Sequence, residues 1–277
     1  MCVAYGLHCF HSNGTKKLIY SRDTDVYHIG LTQMSKMPHS EVIVQLSKSC
    51  TDEAKFVHMN SLLRCLQNDP DLAQIPESAR PQAIQTLYVA TGCDYTSFFS
   101  GLGKVSFLST FFQHASFIAG TIDTNISGSI GHVSLDTKSD AYLSFLRLVG
   151  CAYFRKHTSA FQLQTPEALF HSIPATNGAL DSHSKWLSKI RSTVRQRPDR
   201  ESDSMPSTEA LGLHWKRCVW VLQMWNCATH NDIYLPGKRM HYTMTYNYYA
   251  RCTYIHTYIY THINVYSNVY VVISKLK

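Results

Sequence analysis

Thr91-Gly92-Cys93-Asp94-Tyr95-Thr96-Ser97-Phe98-Phe99-Ser100-Gly101-Leu102-Gly103-Lys104 lies inside a longer run, Leu87 to His114, whose two flanks have helical character. The order predicts helix, tight glycine turn, helix. Gly101 and Gly103, separated by one apolar residue, let the backbone turn sharply and present N–H groups. The helix that follows begins with its positive dipole end at the same place, which makes a phosphate-sized cradle. Lys104 at the helix start adds a point charge, and Asp94, at the end of the preceding helix, directs a carboxylate beside the turn. An acid next to a phosphate cradle suits metal-assisted phosphodiester chemistry. The same residues also read as a polar helix-to-helix connection with a capping acid, because a lone Gly-x-Gly is common.

A second motif lies upstream. Lys16-Lys17-Leu18-Ile19-Tyr20 is a short strand-like run that empties into Ser21-Arg22-Asp23-Thr24-Asp25-Val26-Tyr27-His28-Ile29-Gly30. Side chains just past the carboxyl ends of strands gather in one crevice of an open α/β sheet. If the segment is extended, Asp23 and Asp25 point to the same side of it, as oxygen ligation of a hard cation requires. A solvated acidic loop is the other reading.

The pair of acids followed by Gly92-Cys93-Asp94-Tyr95 and Gly101-Leu102-Gly103-Lys104 resembles the flap-endonuclease and xeroderma-G-type nucleases of the PIN-like fold. The resemblance implies that Asp23, Asp25 and Asp94 ligate a catalytic magnesium or manganese ion, and that Gly101, Gly103 and Lys104 contact the DNA backbone. It implies a mixed α/β fold: a partial PIN-like, Rossmann-like sheet with a helix-turn-helix DNA-grip segment, followed by an all-helical region. Against the family pattern the first acid-bearing strand and several metal ligands are missing ahead of Lys17, so the expectation is an N-terminally truncated, degenerate nuclease. The alternative is a non-catalytic remnant that binds DNA or a protein. The runs Thr165-Pro166-Glu167-Ala168-Leu169-Phe170 and Glu209-Ala210-Leu211-Gly212-Leu213-His214-Trp215 are similar to the downstream region of multi-copy, mobile-element-associated invertebrate relatives of these nucleases.

Composition bounds the rest. A chain of 277 residues, 44% apolar, is long enough for a substantial core. Nine cysteines show no Cys-x-x-Cys pair, which favours reduced thiols in the cytosol or nucleus, and the nuclease resemblance implies an intracellular, nuclear setting. No run of eighteen apolar residues suggests a membrane span. His8 and His11 with Cys2 and Cys9 match no four-ligand zinc spacing. Of the net charge of +7, five positive charges fall after Pro236 with no acid among them, leaving the body close to neutral. Overall basicity is therefore no argument for DNA, and local placement of cations must carry that case.

Four regions are expected: a partial nuclease-like domain over 1–118, a Gly/Ser/Thr-rich link over 119–138, a helical region over 139–236 and a low-complexity tail over 237–277. Glu41 to Leu46 is β-branched and predicts a second strand. Helices are predicted over Asn60 to Gln67, Pro81 to Thr91, Lys104 to about Phe117 and Ser139 to Tyr153. Thr165 and Pro166 form an N-cap and first-turn pair that opens a helix to Phe170. Trp186, Leu187, Ile190 and Val194 line a further helix, and Leu211, Trp215, Cys218, Leu222 and Trp225 line the last. Lys189, Arg191, Arg195, Arg197 and Arg200 form the one basic concentration of the body. The tail holds nine of the seventeen tyrosines in near-repeats and reads as translated simple sequence.

Overall fold

A computed structural model describes residues 15–21, 24–46, 55–73, 75–118, 140–162, 164–174, 178–195 and 205–226. Asp23, the His8/His11 group, the 119–138 link, Arg197, Arg200 and the tail lie outside them. The described chain is mixed α/β, mostly helical, with one small sheet of three strands. It divides into two compact units, Cys65–Gln223 forming the second and the residues before and after it the first, so the last turn of the helix Met59–Gln67 belongs to the second unit and the last three residues of the helix Thr208–Asn226 to the first.

The first unit is a strand-helix-strand crossover. β1 (Lys16–Ser21) pairs in parallel with β2 (Glu41–Leu46), from Lys16 opposite Glu41 to Ser21 opposite Leu46. Parallel neighbours cannot be joined by a hairpin, and α1 (Asp25–Gln33) supplies the crossover. β3 (Lys55–His58) closes the other edge of β2, antiparallel to it, giving the order β1-β2-β3. Val42 and Val44 point to the core as alternate β2 residues, and Val26, Ile29 and Met59 are buried with them. Asn60, near the start of α2 (Met59–Gln67), fastens the beginning of β2. Its Oδ1 accepts from Val42 N at 3.0 Å and its Nδ2 donates to Ser40 O at 3.0 Å.

α1 corrects the sequence expectation, which makes residues 21–30 an extended acidic segment. Asp25 starts a helix and is 5% exposed. The reason lies in the next residues: Val26 and Ile29 are three apart and both buried, and a carboxylate is favoured in the first turn of a helix. β3 was not expected at all.

The second unit contains α3 (Arg80–Ala90), α4 (Lys104–Gln113), α5 (Ala115–Ile118), α6 (Asp140–Lys156), α7 (Pro166–His171), α8 (Ala179–Arg195) and α9 (Thr208–Asn226). α6 is its axis, buried on nearly every face between α4, α5 and α8. Helices from both sides of 119–138 thus share one core: Ser144 Oγ donates to Ile118 O at 2.7 Å, and Arg147 Nη1 to Phe117 O at 2.9 Å. Thr165 caps α7 as expected, accepting from Ala168 N at 3.1 Å. Arg191, counted in the basic concentration, is tied to the chain entering α9 through Met205 O (3.3 Å) and Pro206 O (2.7 Å). The helix predicted from Lys104 to Phe117 breaks at His114, whose Nδ1 lies 2.6 Å from Glu167 Oε1.

Candidate nucleic-acid interface

The predicted single glycine turn is two compact turns in succession, between α3 and α4. α3 ends in a left-handed glycine: Gly92 has φ +113 and its N–H donates to Val89 O at 3.3 Å. A Cβ there would overlap the Phe98 ring and stand 3.0 Å from Phe98 Cα. In the first turn Thr96 N donates to Cys93 O at 3.1 Å, with Asp94 and Tyr95 at the tip. In the second, Leu102 N donates to Phe99 O at 3.2 Å, with Ser100 and Gly101 at the tip and Gly101 at φ +67. Asp94 is therefore exposed on a turn beyond the helix, and not at the helix end.

Buried bonds hold this loop to α3. Thr96 Oγ1 donates to Val89 O at 2.8 Å and accepts from Cys93 N at 2.9 Å. Cys218 Sγ lies 3.8 Å from the same Val89 carbonyl, and His214 Nε2 lies 2.8 Å from Ala90 O. Val89 O already accepts from Gly92 N and Thr96 Oγ1, whereas Ala90 O lies in the last turn of α3, where carbonyls lack an intrahelical donor, and a carbonyl can only accept. His214 must therefore donate from Nε2. Its ring packs parallel to Phe145 (5.7 Å) and on edge to Phe99 (5.1 Å).

Lys104 belongs to the same arrangement. Its ammonium turns back over α3, donating to Gly92 O and, at 3.4 Å, to Tyr88 O, while standing 3.7 Å above the Tyr88 ring. A cation at the carboxyl end of a helix and on an aromatic face is favoured by both dipole and quadrupole. The sequence expectation aims this charge outward at a ligand; the structure uses it to fix the loop.

Other cations face outward instead. Arg155 and Lys156, at the last turn of α6, reach the turn face: Arg155 Nη1 donates to Ser109 Oγ and Lys156 Nζ to Ser100 O at 3.5 Å. Gly103 caps α4 in an extended conformation (φ −85, ψ 166), with no side-chain capping bond and open space where a Cβ would stand. Ser97, Ser100, Gly101 and Gly103 are exposed, and two cations brought from about fifty residues downstream reach this segment at Ser100 and Ser109. Sequence reading missed Arg155 and Lys156. Their only local signal is a basic pair ending a helix, which usually means a solvated terminus.

Of the three acids expected to bind a metal, two lie among the described residues. Asp25 is buried at the start of α1 in the first unit, Asp94 is exposed in the second, and Asp23 lies outside the description. Among the described residues no group of three His, Cys, Asp or Glu is placed to hold a metal ion. No helix among them is long and apolar enough to cross a membrane. No protein-family model matches the chain, and no curated protein or solved structure is significantly similar to it.

Burial pushes the pKa of His214 below its ordinary value of 6.5; the Ala90 bond opposes the shift and Arg217 adds to it. Burial pushes His183 below 6.5 in the same way, and its Nε2 accepts from Arg147 Nε at 2.9 Å. With folded values below unfolded ones, the unfolded chain binds more protons as pH falls past 6.5, so stability is present above that pH and lost below it. The melting temperature is expected to hold between about pH 7 and 8 and to fall from about pH 6.5 to 5.5. His214→Gln, whose amide can still donate to Ala90, should flatten part of that fall. An unchanged slope in the variant would remove His214 from the account.

Proposed function

We propose that the chain is a nuclease-like DNA-binding protein whose 97–109 face holds the phosphate backbone of duplex DNA. The observation that carries this reading is the convergence of Arg155 and Lys156 on Ser109 and Ser100, in the segment that holds the α4 start, whose Gly103 cap makes no side-chain bond. Backbone N–H groups at a helix start and paired cations with hydroxyls suit successive phosphates, which position a duplex without reading its sequence. In this reading Gly101 and Gly103 keep the face clear and Lys104 holds its shape. The motif resemblance supports DNA as the polyanion. Metal-dependent hydrolysis on Asp23, Asp25 and Asp94 belongs to that resemblance alone, and the phosphate-binding reading needs no metal.

Gly103→Asp is the sharpest test, because the position accepts a side chain without overlap and its backbone suits a capping acid. Aspartate is at least as good an N-cap as glycine, so stability should stay level or rise by a few tenths of a kcal/mol. The same carboxylate faces the proposed phosphate. Duplex affinity, read by fluorescence anisotropy, should drop about tenfold, or about 1.4 kcal/mol. Full affinity in a stably folded variant would defeat the reading.

A further inference from the structure

Phe98 and Phe99 are adjacent yet go opposite ways. Phe99 is buried against Phe107 at 5.2 Å and His214 at 5.1 Å, whereas Phe98 is 67% exposed. Its ring is nonetheless seated: it lies against Gly92 where any Cβ would overlap it, and Lys104 Nζ stands 5.4 Å from its centroid. Val105, 82% exposed, and Leu108 add apolar surface on the neighbouring first turns of α4. Arg155 and Lys156 reach Ser109 and Ser100, next in the chain to Leu108 and two residues from Phe98.

An exposed aromatic ring fixed beside cations fits a ligand that is both flat and anionic. A nucleotide has both properties, and only an unpaired one offers a free base face, since bases within a duplex are already stacked. Resting on the DNA-backbone reading above, we propose that Phe98 is a stacking platform for an unpaired nucleobase, so that the face takes single-stranded DNA as well as duplex. The phosphates of the strand meet Arg155 and Lys156 while one base lies on the outer face of Phe98. Every base has a π-face, so the contact is indifferent to sequence.

The test uses the full chain with two probes of equal length: a blunt duplex, and a single strand carrying 2-aminopurine, whose fluorescence is quenched on stacking. The wild type should bind the single strand with quenching. Phe98→Leu keeps an apolar side chain against Gly92, and should weaken single-strand binding about tenfold and remove the quenching while leaving duplex affinity unchanged. Phe98→Trp should retain both signals. Unquenched binding by the wild type, or a Leu variant that quenches and binds like wild type, would overturn the platform even with duplex binding intact. Loss of duplex and single-strand binding together in the wild type would instead bring down the backbone reading, and the platform with it.

Discussion

Arg80→Met should destabilise the chain by about 4 kcal/mol, lowering its melting temperature by roughly 10 °C. Arg80 is buried, and its guanidinium is solvated by carbonyls: Nε donates to Ile75 O at 3.0 Å, and Nη1 to Leu66 O (3.3 Å), Gln67 O and Asp69 O (3.2 Å). Leu66 and Gln67 end α2 and Asp69 opens the turn after it, where a helix leaves acceptors unsatisfied and its dipole favours a cation. Leu66 O and Asp69 O also accept from Asp69 N and Leu72 N, but methionine removes the donors to Gln67 O and Ile75 O, and hydrogen bonds to a charged group contribute about 1.5–3 kcal/mol each. Arg80→Lys should recover less than half of the loss, since one ammonium cannot reproduce the fork that reaches Ile75 and Asp69 together. Thermal melts of the three proteins check this. A Lys variant as stable as wild type would mean that charge alone, and not the shape of the fork, holds the turn.

Gly150→Ala should cost about 3 kcal/mol, although alanine is the better helix former by about 1 kcal/mol. Gly150 sits in the middle of α6, where a Cβ would overlap Trp186 Cζ3 and Cη2 and stand 3.0 Å from Leu187 Cδ2. Trp186 cannot swing aside. It is fully buried, with Phe117 and Phe170 on edge to it at 5.8 and 5.6 Å. The close approach of α6 and α8 therefore depends on the missing side chain. Trp186→Phe removes the two atoms in conflict, so Gly150→Ala in that background should cost much less than in wild type. A double-mutant cycle measures the coupling, expected at about 1–3 kcal/mol. A stabilising Gly150→Ala would show that α6 and α8 are not in this contact.

The elements legible in the sequence are those whose signal is local. β2 announces itself in Val42-Ile43-Val44, α7 in the Thr165-Pro166 pair, and α9 in the spacing of Leu211, Trp215, Cys218 and Leu222, all four buried. Two elements were missed because a nearby signal competes or is too short. Asp23-Thr24-Asp25 reads as a loop and hides the start of α1, and β3 has four residues whose strand character depends on pairing with β2.

The loop between α3 and α4 was legible in position but not in detail. The sequence places the turn at Gly101 and Gly103; Gly101 adopts positive φ, whereas Gly103 is extended at φ −85 and the second left-handed glycine of the loop is Gly92. Nothing local separates Phe98 from Phe99, and nothing local tells whether Lys104 faces a ligand or its own helix end. Those choices are made by Tyr88, His214 and Tyr153, and the sequence separation of the last two from the loop is too large for pattern reading. The same distance concealed Arg155 and Lys156.

The duplex titration of wild type beside Gly103→Asp, run from about 50 to 200 mM salt, tests the central claim most directly. If the 97–109 face holds phosphates through Arg155 and Lys156, log K for the wild type should fall linearly with log salt, with a slope near −2 for two neutralised phosphates. Gly103→Asp should lie about tenfold below it at the lowest salt. Salt-independent binding, or coincident curves for the two proteins, would contradict a phosphate-binding role for this face.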